Sequence, residues 1–461
     1  MSSVVKENKM GYVSVPKLLI TMSLPMMLSM LVQALYNVVD SLFIAQLGAI
    51  GGPQNELTAI NLAFPAQNLM IAFAVGTGVG VNALASKNLG MGEPERAKKI
   101  AGNGVLLMGI TYIVFALLGV FAVRPFFEMQ TDNREVIELG VSYLSICYIM
   151  SFGLFFQVAF EKCMQATGKT TLSMIIQLVG AITNIIFDPI LIFGLFGFPK
   201  LGIAGAAIAT VGGQMVSMLT GFFLNQKKNP ELKLELHHVL PSGKAIAEIY
   251  KIGLPSVLMN SVGSVMTAGM NMIIGGINQV AVNAFGIYFK LQSFVFMPVF
   301  GLNNGLISIA AYNYGAKKRS RLTSSIRFAI LYAAGYMLLG FAVFQLFPEA
   351  LLSMFNASPE LISVGVPALK TLSICFVFAS FSVIMTSTFQ ALGRSLFSML
   401  ISIARQLVVL LPAAYLLSLT GNIDNVWWAF PIAEVVCFIC CAVFYKHIYD
   451  KVIRRLPREK M

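Results

Sequence analysis

Gln33-Ala34-Leu35-Tyr36-Asn37-Val38-Val39-Asp40 and Asn184-Ile185-Ile186-Phe187-Asp188 are the stretches whose reading decides the fold. Each ends on an aspartate in the middle of a long apolar segment. A carboxylate placed in hydrocarbon costs roughly 2.5–3.5 kcal/mol or more, so such a group faces a cavity and marks an ion or substrate path. On a helix, Gln33, Tyr36, Asn37 and Asp40 share one face, as do Gln177, Asn184 and Asp188, and Thr210, Gln214 and Ser217. Three polar stripes in neighbouring apolar helices cannot all face lipid, and the simplest arrangement turns them toward a common cavity.

Working outward, apolar runs long enough to cross a bilayer recur along all 461 residues, which are 57% hydrophobic and only 11% charged. About twelve spans are expected, near 18–44, 57–86, 100–123, 136–160, 171–196, 203–225, 246–275, 280–311, 326–347, 361–388, 396–419 and 426–447. The fold class is therefore all-α integral membrane, and the absence of short alternating strands argues against a membrane barrel. The net charge of +12 does not point to nucleic acid. Most of the basic residues fall before the first span, in alternate loops (Lys162 and Lys169 after the fourth among them) and after the last. By the positive-inside rule both termini are cytoplasmic. Trp427 and Trp428 fit an aromatic belt at the outer end of the last span.

An internal repeat spaced by 225 positions joins Gly76, Gly80 and Gly90 to Gly301, Gly305 and Gly315. It also joins Gln165-Ala166-Thr167-Gly168-Lys169 to Gln390-Ala391-Leu392-Gly393-Arg394. Leu24-Pro25 in the first span has its match in Leu254-Pro255 of the seventh. The expected organisation is an amino-terminal six-helix lobe (1–225), a cytoplasmic linker (226–245) and a carboxy-terminal six-helix lobe with a short basic tail (246–461). The lobes are related by a pseudo-two-fold axis along the membrane normal, an architecture that binds substrate between its halves. Pro25 and Pro255 each remove a backbone hydrogen bond within a span and permit a kink.

The oxygen-bearing set Asp40, Asn184, Asp188 and Thr210 suits a hard cation such as Na⁺, for which these four would be the metal ligands, and suits a proton equally well. No other cofactor is indicated. The repeat has Val409 and Ala413 where the first half has Asn184 and Asp188, so the pair is not duplicated scaffolding. In the second half Asn260, Asn271, Asn283, Lys290 and Gln292 are candidate substrate-cleft residues. Arg405 and Glu434 are further charges within spans, Glu434 without a matching polar stripe. The six cysteines show neither zinc-site spacing nor a disulfide framework. His237 and His238 read as solvated loop residues.

With these residues in place, the chain resembles the multidrug and toxic compound extrusion (MATE) family, and within it the DinF- and MepA-like bacterial branch. The resemblance covers nearly the whole chain and is carried by Pro25, Tyr36-Asn37-Val38-Val39-Asp40, Asn184-x-x-x-Asp188, and Thr210 after Gly205-Ala206-Ala207. It implies an amino-terminal cation site at Asp40, Asn184, Asp188 and Thr210, and a first helix that bends about Pro25. The NorM-type branch instead has an acid in its seventh span; residues 253–272 here contain none. The expected activity is H⁺- or Na⁺-coupled antiport, exporting amphipathic and often cationic compounds by rocking of two lobes. The expected setting is the bacterial cytoplasmic membrane, as a monomer with small organic substrates and no nucleic acid. The alternative is a lipid-linked oligosaccharide flippase of related architecture. No paired nucleophile–base or metalloprotease motif lies in the spans, so an enzyme is not expected.

Overall fold

The computed structural model describes residues 8–51, 55–355 and 357–457. Within the first two helices the side chains of 36–38, 40–42, 44–51 and 57 lie outside the described residues. Tyr36, Asn37 and Asp40 are thus placed on a helix but not characterised further.

The described chain is all helical, with no strand. Ten helices are long and apolar enough to cross a membrane, and two bent pairs bring the number to as many as twelve. In chain order the spans are Val15–Gly51, Asn55–Gly90, Pro94–Phe121, the pair Arg134–Ile149 and Phe152–Ala166, Thr170–Phe193 and Ile203–Lys228. The second six are Gly243–Gly275, Gln279–Gly315, Arg319–Leu346, the pair Pro359–Ser373 and Cys375–Ala391, Ser395–Ser418, and Ile423–Ile453. The fourth and tenth spans, which are repeat counterparts, each bend by 44° at their break.

The repeated sequence motifs have local physical causes. Asn133 caps the fourth span by accepting from the backbone N–H groups of Glu135 and Val136, and Ser358 caps the tenth by accepting from Leu361. At the other end of each span, Gly168 (φ 78°) and Gly393 (φ 72°) take the left-handed conformation. The next residue then donates back into the helix, Lys169 N to Met164 O at 2.8 Å and Arg394 N to Phe389 O at 2.7 Å. This is the glycine-terminated closing turn of a helix. Gly168→Ala is therefore expected to lower stability by about 1 kcal/mol through the left-handed penalty, measured as a fall in the thermal unfolding midpoint.

The chain divides into two compact units. One holds residues 28–89 and 93–257; the other holds 8–27, 90–92 and 258–457 of the described chain. Each unit thus contains the first part of a helix whose remainder belongs to the other. The first span changes unit after Met27 and the seventh after Val257, in both cases two residues beyond a proline, Pro25 and Pro255.

Glycine makes both arrangements possible. A Cβ on Gly76 would lie 2.5 Å from Val257 N, and one on Gly80 2.7 Å from Ile249 O. In the other unit a Cβ on Gly301 would lie 2.5 Å from Met27 N, and one on Gly305 2.5 Å from Ser23 Oγ. The repeated glycines are thus seats for the incoming helix halves, backbone against backbone. Because Gly76 and Gly301 face main chain that cannot rotate away, alanine at either is expected to cost about 1–3 kcal/mol. Differential scanning fluorimetry of the detergent-purified protein would check it.

Three expectations change here. Lys162 is not a loop charge: it lies in Phe152–Ala166 with 4% exposure, its stem packed where a Cβ on Gly78 would be. Trp427 is fully buried, stacked on Phe285, so only Trp428 is exposed. His238 is buried rather than solvated, because Asn103 Nδ2 holds its carbonyl and that of Leu240, while Asn103 Oδ1 accepts from Ser242 N.

Candidate functional site

The fifth span buries Ser173, Ile176, Gly180, Asn184, Asp188 and Ile192, residues three or four apart that form one continuous face. The sixth span lies against that face. Its small residues allow the approach: a Cβ on Gly213 would meet Gly180 O at 2.7 Å, and one on Gly205 would meet Leu191 O at 2.5 Å. Ser217, from the expected polar stripe, donates to the Ile176 carbonyl. These contacts bring Thr210 opposite Asn184.

The Asn184 amide satisfies both neighbours in one orientation. Nδ2 then lies 2.9 Å from Asp188 Oδ2, and Oδ1 lies 3.3 Å from Thr210 Oγ1 and 3.1 Å from Thr210 N. Asp188 is 1% exposed and Asn184 3%. Pro189 follows directly and has no N–H for the preceding turn, so the Ile185 carbonyl loses its helical donor beside the carboxylate. The structure thus joins three of the four expected cation-site residues in one oxygen-rich cluster. Asp40, the fourth, lies outside the described residues, together with Tyr36 and Asn37.

Gln177 joins a different group. It lies eleven residues before Asp188, roughly 16 Å along the helix. Its Nε2 donates to Glu161 Oε2 at 2.8 Å, and its Oε1 accepts from Ser29 of the first span. Gln157 Nε2 donates to Glu161 Oε1, also at 2.8 Å. The adjoining Lys162 Nζ donates to Gln165 Oε1 at 3.0 Å, and Gln165 passes the network on to Ser173 Oγ. Glu161 is 4% exposed. Sequence reading missed this acid by ending the fourth span at residue 160. The signal available was Gln157 and Glu161 at helical i, i+4 spacing.

The remaining expected residues are scattered. Gln33 is exposed and Gln214 half-buried. Asn260, Asn271, Asn283 and Lys290 are exposed and Gln292 half-buried, all in the unit containing 258–457. That unit has an apolar pocket of about 200 Å³, lined in part by Leu24, Met27, Tyr332 and Tyr336, and by none of those five.

Chemically, Asp188, Asn184 and Thr210 offer a carboxylate, an amide oxygen and a hydroxyl, all hard donors suited to a proton or to Na⁺. Nothing in the cluster is a nucleophile beside a base.

Comparison with known proteins places this geometry in context. The MatE family model matches residues 25–190 and 255–416. The chain is 26% identical to the FAD transporter of Shewanella oneidensis, covering 97% of this chain and 98% of that protein. It is 25% identical to the multidrug export protein MepA of Staphylococcus haemolyticus, covering 94% of each. A solved outward-facing conformation of a multidrug resistance MATE family transporter superposes with a TM-score of 0.91 at 24% identity, covering 98% of this chain and all of that one.

Proposed function

Because this chain belongs to the MatE family of multi-pass membrane transporters, we propose that it is an antiporter that exports amphipathic organic compounds in exchange for H⁺ or Na⁺. Its place is the bacterial cytoplasmic membrane, with both termini inside. The chain is a transporter, not an enzyme.

The observation that carries the reading is Asp188, a carboxylate sealed inside the fifth span with Asn184 and Thr210 as its neighbours. A carboxylate so enclosed must be compensated, by a proton on it or a cation beside it. A cation that arrives and leaves with each transport cycle meets that need at no permanent expense to the fold. With Asp40 completing the set, cation entry from outside would favour one state of the two rocking halves and substrate the other. Coupling requires such opposite preferences, since equal affinity for both states shifts nothing. The membrane potential adds about 2.3 kcal/mol per charge per 100 mV to inward cation movement.

The substrate class draws support from two relatives whose names differ, one a multidrug export protein and one an FAD transporter.

The test is flux in proteoliposomes under an imposed gradient. Ethidium movement is expected to follow either a pH gradient or a sodium gradient and to stop when that gradient is collapsed. Flux indifferent to both gradients would reject the antiport.

A further inference from the structure

Arg405 stands in the middle of the eleventh span, ten residues from its start at Ser395. Roughly 15 Å of helix therefore separates it from the nearer end. The backbone around it, Ala404–Leu410, is a π-helix. Such widened turns inside α-helices recur at functional positions.

Its partner is Glu434 of the twelfth span, and the pairing is incomplete. Nη1 donates to Glu434 Oε2 at 3.3 Å, and Arg405 makes no other hydrogen bond among the described residues. Arginine and carboxylate commonly meet through two parallel bonds. Here the second carboxylate oxygen, Oε1, is buried and has no hydrogen-bond partner. The two charges are also unequally open. The Arg405 side chain is 27% exposed and that of Glu434 8%. Tyr288, Cys375, Cys437 and Cys441, from the eighth, tenth and twelfth spans, are buried groups within electrostatic reach of the acid.

An inter-helix tie would use both oxygens and close both groups. Instead the acid is sealed and underused, while the guanidinium keeps open donors. A molecule reaching this pair meets the cation first. We propose that Arg405 is an anion-recognition point, taking the carboxylate or phosphate of an amphiphilic ligand, and that Glu434 is the internal competitor that occupies it otherwise. The depth of Arg405 favours a small amphiphile over a phospholipid headgroup, which sits at the membrane surface. The proposal does not depend on the export reading, because it concerns binding alone.

The competitor role gives a test that an inter-helix tie cannot mimic. The purified full chain in detergent would be titrated calorimetrically with 1-naphthyl phosphate, and with 1-naphthylmethylammonium as the control of matching ring. The phosphate is expected to bind and the ammonium not to displace it. Arg405→Gln is expected to abolish binding. Arg405→Lys, which keeps the charge but loses the planar fork, should weaken it about tenfold, the loss of one charge-assisted hydrogen bond. Glu434→Gln should tighten it by about the same factor, because the rival for the guanidinium has become neutral. Thermal unfolding of each variant would confirm that it is folded. Binding weakened alike by Glu434→Gln and Arg405→Lys would overturn the proposal, as would a wild-type protein that binds no phosphate. Displacement of the probe by phosphatidylglycerol in nanodiscs would overturn it too, by giving the site to lipid.

Discussion

Asp188→Asn is expected to bring ethidium efflux down to that of cells lacking the protein, at matched expression. The substitution keeps the shape of the side chain and a hydrogen-bonding group toward Asn184. What it removes is the charge. A neutral amide cannot take up a proton or balance a cation, so the difference in cation affinity between two transporter states disappears. Coupling free energies of about 1–3 kcal/mol correspond to affinity factors of about 5–150, and losing a factor of that size is enough to bring efflux to that background. The unfolding midpoint should hold or rise, because burying an amide is easier than burying a carboxylate. Efflux undiminished by the change would make Asp188 a structural residue and remove the support for coupling.

Glu161→Ala is expected to act in the opposite balance, with a large loss of stability. The carboxylate of Glu161 accepts from both Gln157 and Gln177, and Gln177 in turn ties in Ser29. Cutting it away strands two half-buried amide donors. A fully buried unsatisfied donor costs about 1–3 kcal/mol and a half-buried one part of that, before the neighbouring Lys162 is left in an interior with less negative charge. The expected result is a fall in the unfolding midpoint accompanied by lost transport. Glu161→Gln separates the two causes: it keeps the volume and one acceptor, so transport lost with stability largely retained would give the acid a place in the transport cycle. A midpoint unmoved by Glu161→Ala would show that water enters this region and satisfies the glutamines.

These two acids also show where sequence reading succeeds and where it stops. Asp188 was legible because the cost of a carboxylate in hydrocarbon is large and local, and because Asn184 lies one turn away on the same face. Thr210 was legible by its stripe on the next span. The small residues that bring the two helices together, Gly180, Gly205 and Gly213, were harder to read, since glycine serves many ends. Glu161 was hidden by its neighbour. A lysine beside it at the expected end of a span looked like a cytoplasmic flank, whereas the fourth span in fact bends and continues through both charges to Ala166. The grouping of Gln177 with Glu161 instead of Asp188 was illegible for a related reason: one helix face can serve two sites two or three turns apart. The pairing of Arg405 with Glu434 joins residues on different spans, and no local pattern in either span announces it. The repeated glycines were visible, but a repeat records only that two segments share a requirement. That the requirement is a helix half from elsewhere in the chain is a property of three-dimensional packing alone.

That packing has a consequence for the order in which the chain is made. The unit of residues 28–89 and 93–257 is complete once the ribosome has passed residue 257, and Gly76 and Gly80 then have their partners. The other unit cannot close so early. Its first contribution, up to Met27, enters the membrane at the outset, but its seats at Gly301 and Gly305 do not exist until the eighth span has been synthesised. The beginning of the first span therefore reaches those seats only after more than half of the chain has been translated. A chain interrupted within 226–245 would release two fragments, neither of which holds one full unit, and each would depend on the other to finish assembly.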